Sequence, residues 1–154
     1  MRRRLLVGLA ACLLATGAVA RPADALAPMA DLHADGQRAQ REGKPLVLFF
    51  SLPGCAYCEV VRRNYLLPLL RDAGGPLIRE ASMEGEEAIV GIDGSASTPK
   101  QLAARYHVRV APTVVMLDSA GRLLTAPLAG GDTSGMYGGY LDRAFEEAHR
   151  KLSP

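Results

Sequence analysis

Cys55 and Cys58 carry the chemistry of this chain. Two cysteines three positions apart bring their sulfurs within bonding distance when they open a helix. The first then lies where backbone N–H groups lack partners and the helix dipole is positive, which favours a thiolate. The second, one turn further in, is sheltered and positioned to attack a mixed disulfide. Redox exchange is therefore the leading chemistry. A structural disulfide closing so short a loop would restrain little of the unfolded chain. A metal centre would need more ligands, and His33, His107 and His149 all lie far from the pair in sequence. Copper(I) held between two thiolates stays open as an alternative. No other cofactor and no metal site is expected.

The elements around the pair fit that chemistry. Pro45 to Ser51 is an apolar run of strand length, of the kind covered on both faces of a sheet. Leu52-Pro53-Gly54 is a turn. From Cys55 to Leu70 apolar residues recur at near-helical spacing, and Pro68 is expected to kink or end the helix. Upstream, Asp31 to Glu42 reads as a helix stopped at Gly43. Downstream, Leu77 to Ser82 reads as a strand, 83–98 as irregular, and Pro99 to Tyr106 as a short helix. Val108 to Leu117 is extended, and Asp118 to Gly121 turns into a strand over Arg122–Thr125. A glycine-rich loop spans Gly130 to Gly139, and an amphipathic helix closes the chain. The order α-β-α-β-α-β-β-α predicts one α/β domain with a central mixed β-sheet flanked by helices.

Composition narrows the function classes. The 154 residues are 49% apolar and 22% charged, which is globular composition. Beyond residue 20 there are 15 basic against 16 acidic residues, so no basic surface for nucleic acid is expected. Three cysteines exclude a disulfide-rich scaffold, and with 5% aromatics and no Trp, stacking on bases or sugars is not the main business.

The first twenty residues read as an address. Arg2-Arg3-Arg4 precede an apolar stretch, and Ala18-Val19-Ala20 supplies small residues for a cut before Arg21. Ala23-Asp24-Ala25 offers a second cut. Leu9-Ala10-Ala11-Cys12 resembles a lipobox, but the apolar run continues past Cys12. The expected organisation is a signal peptide over 1–20, a tether over 21–30 and a domain over 31–154, exported to the periplasm or beyond and soluble there. Export places the pair where disulfides persist.

Two segments carry a resemblance. Gly43 to Cys58, Gly-Lys-Pro-Leu-Val-Leu-Phe-Phe-Ser-Leu-Pro-Gly-Cys-Ala-Tyr-Cys, resembles the first half of a thioredoxin fold. Val110-Ala111-Pro112-Thr113 followed by Leu117-Asp118-Ser119-Ala120-Gly121 resembles the second half. The likeness runs over about residues 31 to 150 and is nearest to exported thioredoxin-like proteins of the SoxW and disulfide-isomerase-like group. It implies that Pro112 is a cis-proline facing the cysteines, and that Ala111 pairs its backbone with a substrate strand beside Cys55. Tyr57 either shapes the substrate groove or serves packing, and His107, which ends a helix before the Pro112 loop, reads as structural. Two positions depart from the family pattern. Gly54 stands where a Trp commonly precedes the first cysteine, and Phe49 falls where ordinary thioredoxins bury an acid. The proton transfer then falls to another group, to water, or is weaker; Glu59 and Glu80 are the candidate groups, with solvated surface acids as the alternative reading of both.

The resemblance implies a thiol–disulfide oxidoreductase acting on protein disulfides. Its Ala-Tyr dipeptide is more similar to reductases and isomerases than to strong oxidants. A membrane thiol–disulfide transporter is the expected electron donor, and a monomer the expected state. A dithiol oxidase, or a copper or maturation chaperone using the same cysteines as ligands, are the alternatives.

Overall fold

Leu46–Ser51 (β2) is buried at every residue. This is the pattern of a strand with helices on both faces. In the computed structural model, which describes residues 25–71 and 74–153, β2 is the centre of a five-stranded mixed sheet. It pairs parallel with Leu77–Ser82 (β3) and antiparallel with Thr113–Leu117 (β6). Ala27–Pro28 (β1) flanks β3 and Leu128–Ala129 (β7) flanks β6. The expected signal segment, with Cys12, lies outside the described residues.

The two-residue period of β2 divides the core. Leu46, Leu48 and Phe50 pack with Leu32 and Ala39 of helix α1 (Leu32–Arg41) and Leu102 and Ala103 of α4 (Pro99–Arg105). Val47 and Phe49 point the other way. They join Cys58 and Val61 of α2 (Ala56–Val61), and Tyr137, Leu141 and Ala148 of α5 (Tyr137–Leu152). Burying each face against its own helices removes apolar surface from water on both sides of one strand.

Local chemistry sets the element ends. The Asp31 carboxylate accepts from the Ala34 N–H at 2.9 Å and starts α1. Gly43, at φ 64°, ends it: its N–H donates to Gln40 and that of Lys44 to Ala39. Thr98 and Gln101 form a reciprocal capping box on α4. The same double turn ends α4, with His107 in the left-handed position at φ 54°. His107 is thus a helix stop, in keeping with a structural role.

Several expectations are corrected. Residues 25–30 are not a free tether. Leu26 and Met29 are buried, and Ala27–Pro28 pairs with Arg79 and Glu80. Pro28 is tolerated because β1 is an edge strand. Within 83–98, Ile89–Val90 (β4) and Ala96–Ser97 (β5) form a small hairpin whose Ile89 and Ile92 are buried. After the 118–121 turn only Leu123 bridges back to Leu117, and the paired strand comes later, at β7. The helix does end one residue after Pro68, at Leu69, as expected, but not as a simple stop. The ladder widens to a π-helical turn over Arg62–Leu66, where Leu67 N–H reaches Arg62 C=O, before α3 (Leu67–Leu69). Pro68 has no N–H for the Asn64 carbonyl and its ring crowds it, which shifts the bonding by one residue.

Asp118 ties the turn after β6. Its Oδ1 accepts from the N–H groups of Ala120 and Arg122, both at 2.9 Å, and its Oδ2 from Arg122 Nε at 2.6 Å. Burial pushes this carboxyl up, but the Arg122 and Ala120 hydrogen bonds outweigh it and hold it below the usual carboxylate range. Asp118→Ala is expected to cost about 1–2 kcal/mol at neutral pH. A group depressed in the fold stabilises above its unfolded value, so the difference from wild type shrinks as pH falls through the folded one. Urea melts of both proteins at neutral and acidic pH measure it; a pH-independent gap would contradict this role.

Candidate functional site

Gly54 adopts φ 72°, in the left-handed region that favours glycine over residues with a side chain. The turn delivers Cys55 in extended geometry as the N-cap of α2. Its sulfur accepts from the Cys58 N–H at 3.1 Å, and its carbonyl from the Glu59 N–H at 3.2 Å. Cys55 and Cys58 are joined in a disulfide, with Cα atoms 5.2 Å apart. The two are unequal in access: Cys58 is 1% exposed, whereas Cys55 is half-buried. Phe49, fully buried, lies in the same apolar cluster as Cys58.

The Ala111–Pro112 peptide is cis. Ala111, like Cys55, packs against the buried cluster that contains Cys58. The Pro112 carbonyl accepts from the Gly130 N–H at 2.8 Å, and Gly130 holds φ 91° to make that bond. Next along, Gly131 lies against Tyr57. A Cβ at residue 131 would fall 2.7 Å from the Tyr57 Cβ, so glycine is what lets this backbone approach the motif. Tyr57 itself is 55% exposed. The structure thus brings Cys55, Cys58, Tyr57, Ala111 and Pro112 to one end of the sheet, with Gly130 and Gly131 between the last three.

Glu59 and Glu80 are differently engaged from a proton carrier at Cys58. Glu80, opposite Phe49 in the β2–β3 register, forms a two-pronged pair with Arg62, one contact being Nε to Oε2 at 2.8 Å. Arg62 also bonds Glu59, which Arg63 contacts at 3.2 Å. The Arg62 hydrogen bond is the main cause holding the Glu59 carboxyl below its usual range. The Arg62 guanidinium, pushed up chiefly by Glu80, sits 5.7 Å from the centre of the Phe49 ring. An arginine one turn past Cys58 therefore collects both carboxylates, over the buried Phe49 ring. Sequence reasoning missed Arg62; its position four residues after Cys58 was the available signal. It missed Gly131 as well, for which the Gly130-Gly131 pair was the only sign.

A family model for the thioredoxin-like domain matches residues 32–145. Among solved structures, mitochondrial thioredoxin 3 from Saccharomyces cerevisiae superposes with TM-score 0.51 at 16% identity, covering 79% of this chain and 94% of that one. The DsbH oxidoreductase gives 0.52 at 18% identity, over 82% and 90%. A chain of the complex of ferredoxin:thioredoxin reductase with thioredoxin f2 gives 0.53 at 17% identity, over 81% and 96%. At these identities the likeness is one of fold. No curated protein matches the chain in sequence. The matched domain, the mixed sheet, and a Cys-x-x-Cys disulfide at the start of a helix support thiol–disulfide exchange as the chemistry. The chain belongs to the thioredoxin-like family.

Proposed function

We propose that this protein is an exported thiol–disulfide oxidoreductase that reduces protein disulfides. The observation that carries the reading is the inequality of the pair: Cys55 meets solvent at the helix start, while Cys58 is buried behind it. In the reduced protein the Cys55 thiolate attacks one sulfur of a client disulfide and expels the other client sulfur as a thiolate. Cys58, deprotonated as it reacts, attacks Cys55 in the mixed disulfide and releases the second client thiol. The client gains two electrons and two protons, and the protein closes its disulfide. A membrane thiol–disulfide transporter returns those electrons.

Ala111 offers its backbone to the client strand beside Cys55, and Tyr57 flanks the groove. Export rests on the charged, apolar and small-residue runs of the first twenty residues. The Ala-Tyr dipeptide and the absence of a Lys or Arg between the cysteines favour a reductant over a strong oxidant.

Insulin-disulfide reduction with dithiothreitol tests the reading. Wild type is expected to accelerate precipitation of the insulin B chain, and Cys55→Ser to fall to the dithiothreitol background. Activity that vanishes in wild type, together with stoichiometric copper(I) binding at the pair, would favour the metal-chaperone alternative. The reduced protein should also be alkylated by iodoacetamide at Cys55 before Cys58 at mildly acidic pH, read by peptide mass spectrometry. Equal labelling would contradict the assignment of roles.

A further inference from the structure

Loop 130–135, between β7 and α5, touches the site on three sides. Gly130 bonds the Pro112 carbonyl and Gly131 lies against Tyr57. The third contact is the one the mechanism leaves unused: the Tyr65 hydroxyl donates to Asp132 Oδ2. Tyr65 belongs to the π-helical turn Arg62–Leu66, which continues the helix that starts at the cysteines. Its ring packs 5.0 Å from that of Tyr137, the first residue of α5. The loop, Tyr137 and the exposed Tyr140 line a cleft of about 350 Å³. Residues Asp132 and Tyr137 both line that cleft, and Asp132 Oδ1 and the Tyr137 hydroxyl are buried behind its surface without a side-chain partner among the described residues. The Tyr65 hydroxyl is the main cause that holds the Asp132 carboxyl below its usual range, against burial.

We propose that Tyr65 and Asp132 are positioning residues that latch loop 130–135 to the helix of the dithiol, fixing the loop as one wall of the groove that receives an extended client segment. The inference rests on the oxidoreductase reading above and adds to it the residues that set client affinity. The physical reason is entropic. Gly130, Gly131 and Gly135 all hold left-handed or sterically tight backbone, and such a loop gains much freedom when released. A client docking on a released loop must order it first, which weakens binding. The sulfurs are untouched, so their exchange rate and potential are not.

Tyr65→Phe keeps the ring contact with Tyr137 and deletes only the hydroxyl. Asp132→Asn is the second variant should the first fold poorly. With insulin as client, each is expected to raise KM about three- to ten-fold, the scale of one charge-assisted hydrogen bond. The kcat and the reduction potential in glutathione buffers should stay at wild-type values. Asp132→Glu, which keeps a carboxylate, should recover part of the KM. Amide hydrogen exchange should quicken at residues 130–135 in Tyr65→Phe and stay constant in β2. An unchanged KM, unchanged loop exchange, or a potential that moves with KM would each overturn the latch. Wild-type protein that reduces neither insulin nor a small disulfide would sink the oxidoreductase reading and the groove with it.

Discussion

Cys58→Ser protein is expected to accumulate covalent complexes with its clients, joined through Cys55. In wild type the mixed disulfide is expected to be short-lived, because Cys58 sits one helical turn away, its Cα 5.2 Å from that of Cys55. An intramolecular thiolate competes with solvent thiols at very high effective concentration. A serine hydroxyl does not cleave a disulfide, so the substitution stops the cycle after the first attack. It keeps the half-buried Cys55 that makes that attack and swaps sulfur for oxygen at a side chain 1% exposed. Non-reducing gels with peptide mapping read the adducts. Cys55→Ser should trap none, because the remaining thiol is buried. Equal trapping by the two variants would mean that burial does not order the roles.

Phe49→Ala is expected to lower stability by about 3–5 kcal/mol. That is a large share of the ~5–15 kcal/mol that holds a typical domain together. Phe49 is fully buried at the centre of β2 and packs in the cluster with Cys58, Val61, Leu66, Val114 and Leu141. Truncation removes the transfer energy of a ring and leaves a cavity that a central strand cannot close by moving. It also strips the face over which the Arg62 guanidinium sits. Urea unfolding at constant m-value measures the loss. A cost below about 1 kcal/mol would show that the cluster repacks around the truncated side chain.

The residues that make the frame were legible because their patterns are local. Leu46 to Ser51 is a run that only a doubly covered strand explains, and Cys55-x-x-Cys58 after a turn marks a helix start. The cis geometry at Pro112 entered through the resemblance, since base rates at X–Pro favour trans. What stayed hidden depends on pairings between distant segments. Arg62 meets Glu80 across 18 positions, and Tyr65 meets Asp132 across 67. A charged or phenolic side chain carries no mark of its partner. The short strands β1, β4 and β5 were missed because two residues cannot display a period; their pairing with distant segments and the burial of Leu26, Met29 and Ile89 reveal them. The π-helical turn needed the effect of Pro68 to be placed one turn earlier than where a simple stop puts it.

The equilibrium reduction potential of the Cys55–Cys58 couple tests the central claim most directly. Protein equilibrated in a series of glutathione buffers, quenched by alkylation and weighed, gives the oxidised fraction at each poise. Every ~30 mV corresponds to about 1.4 kcal/mol for this two-electron couple, so the classes separate cleanly. A protein that reduces clients is expected near the thioredoxin and glutaredoxin range, about −200 to −270 mV. A value near −120 mV, that of a strong dithiol oxidant, would contradict the direction of electron flow proposed here.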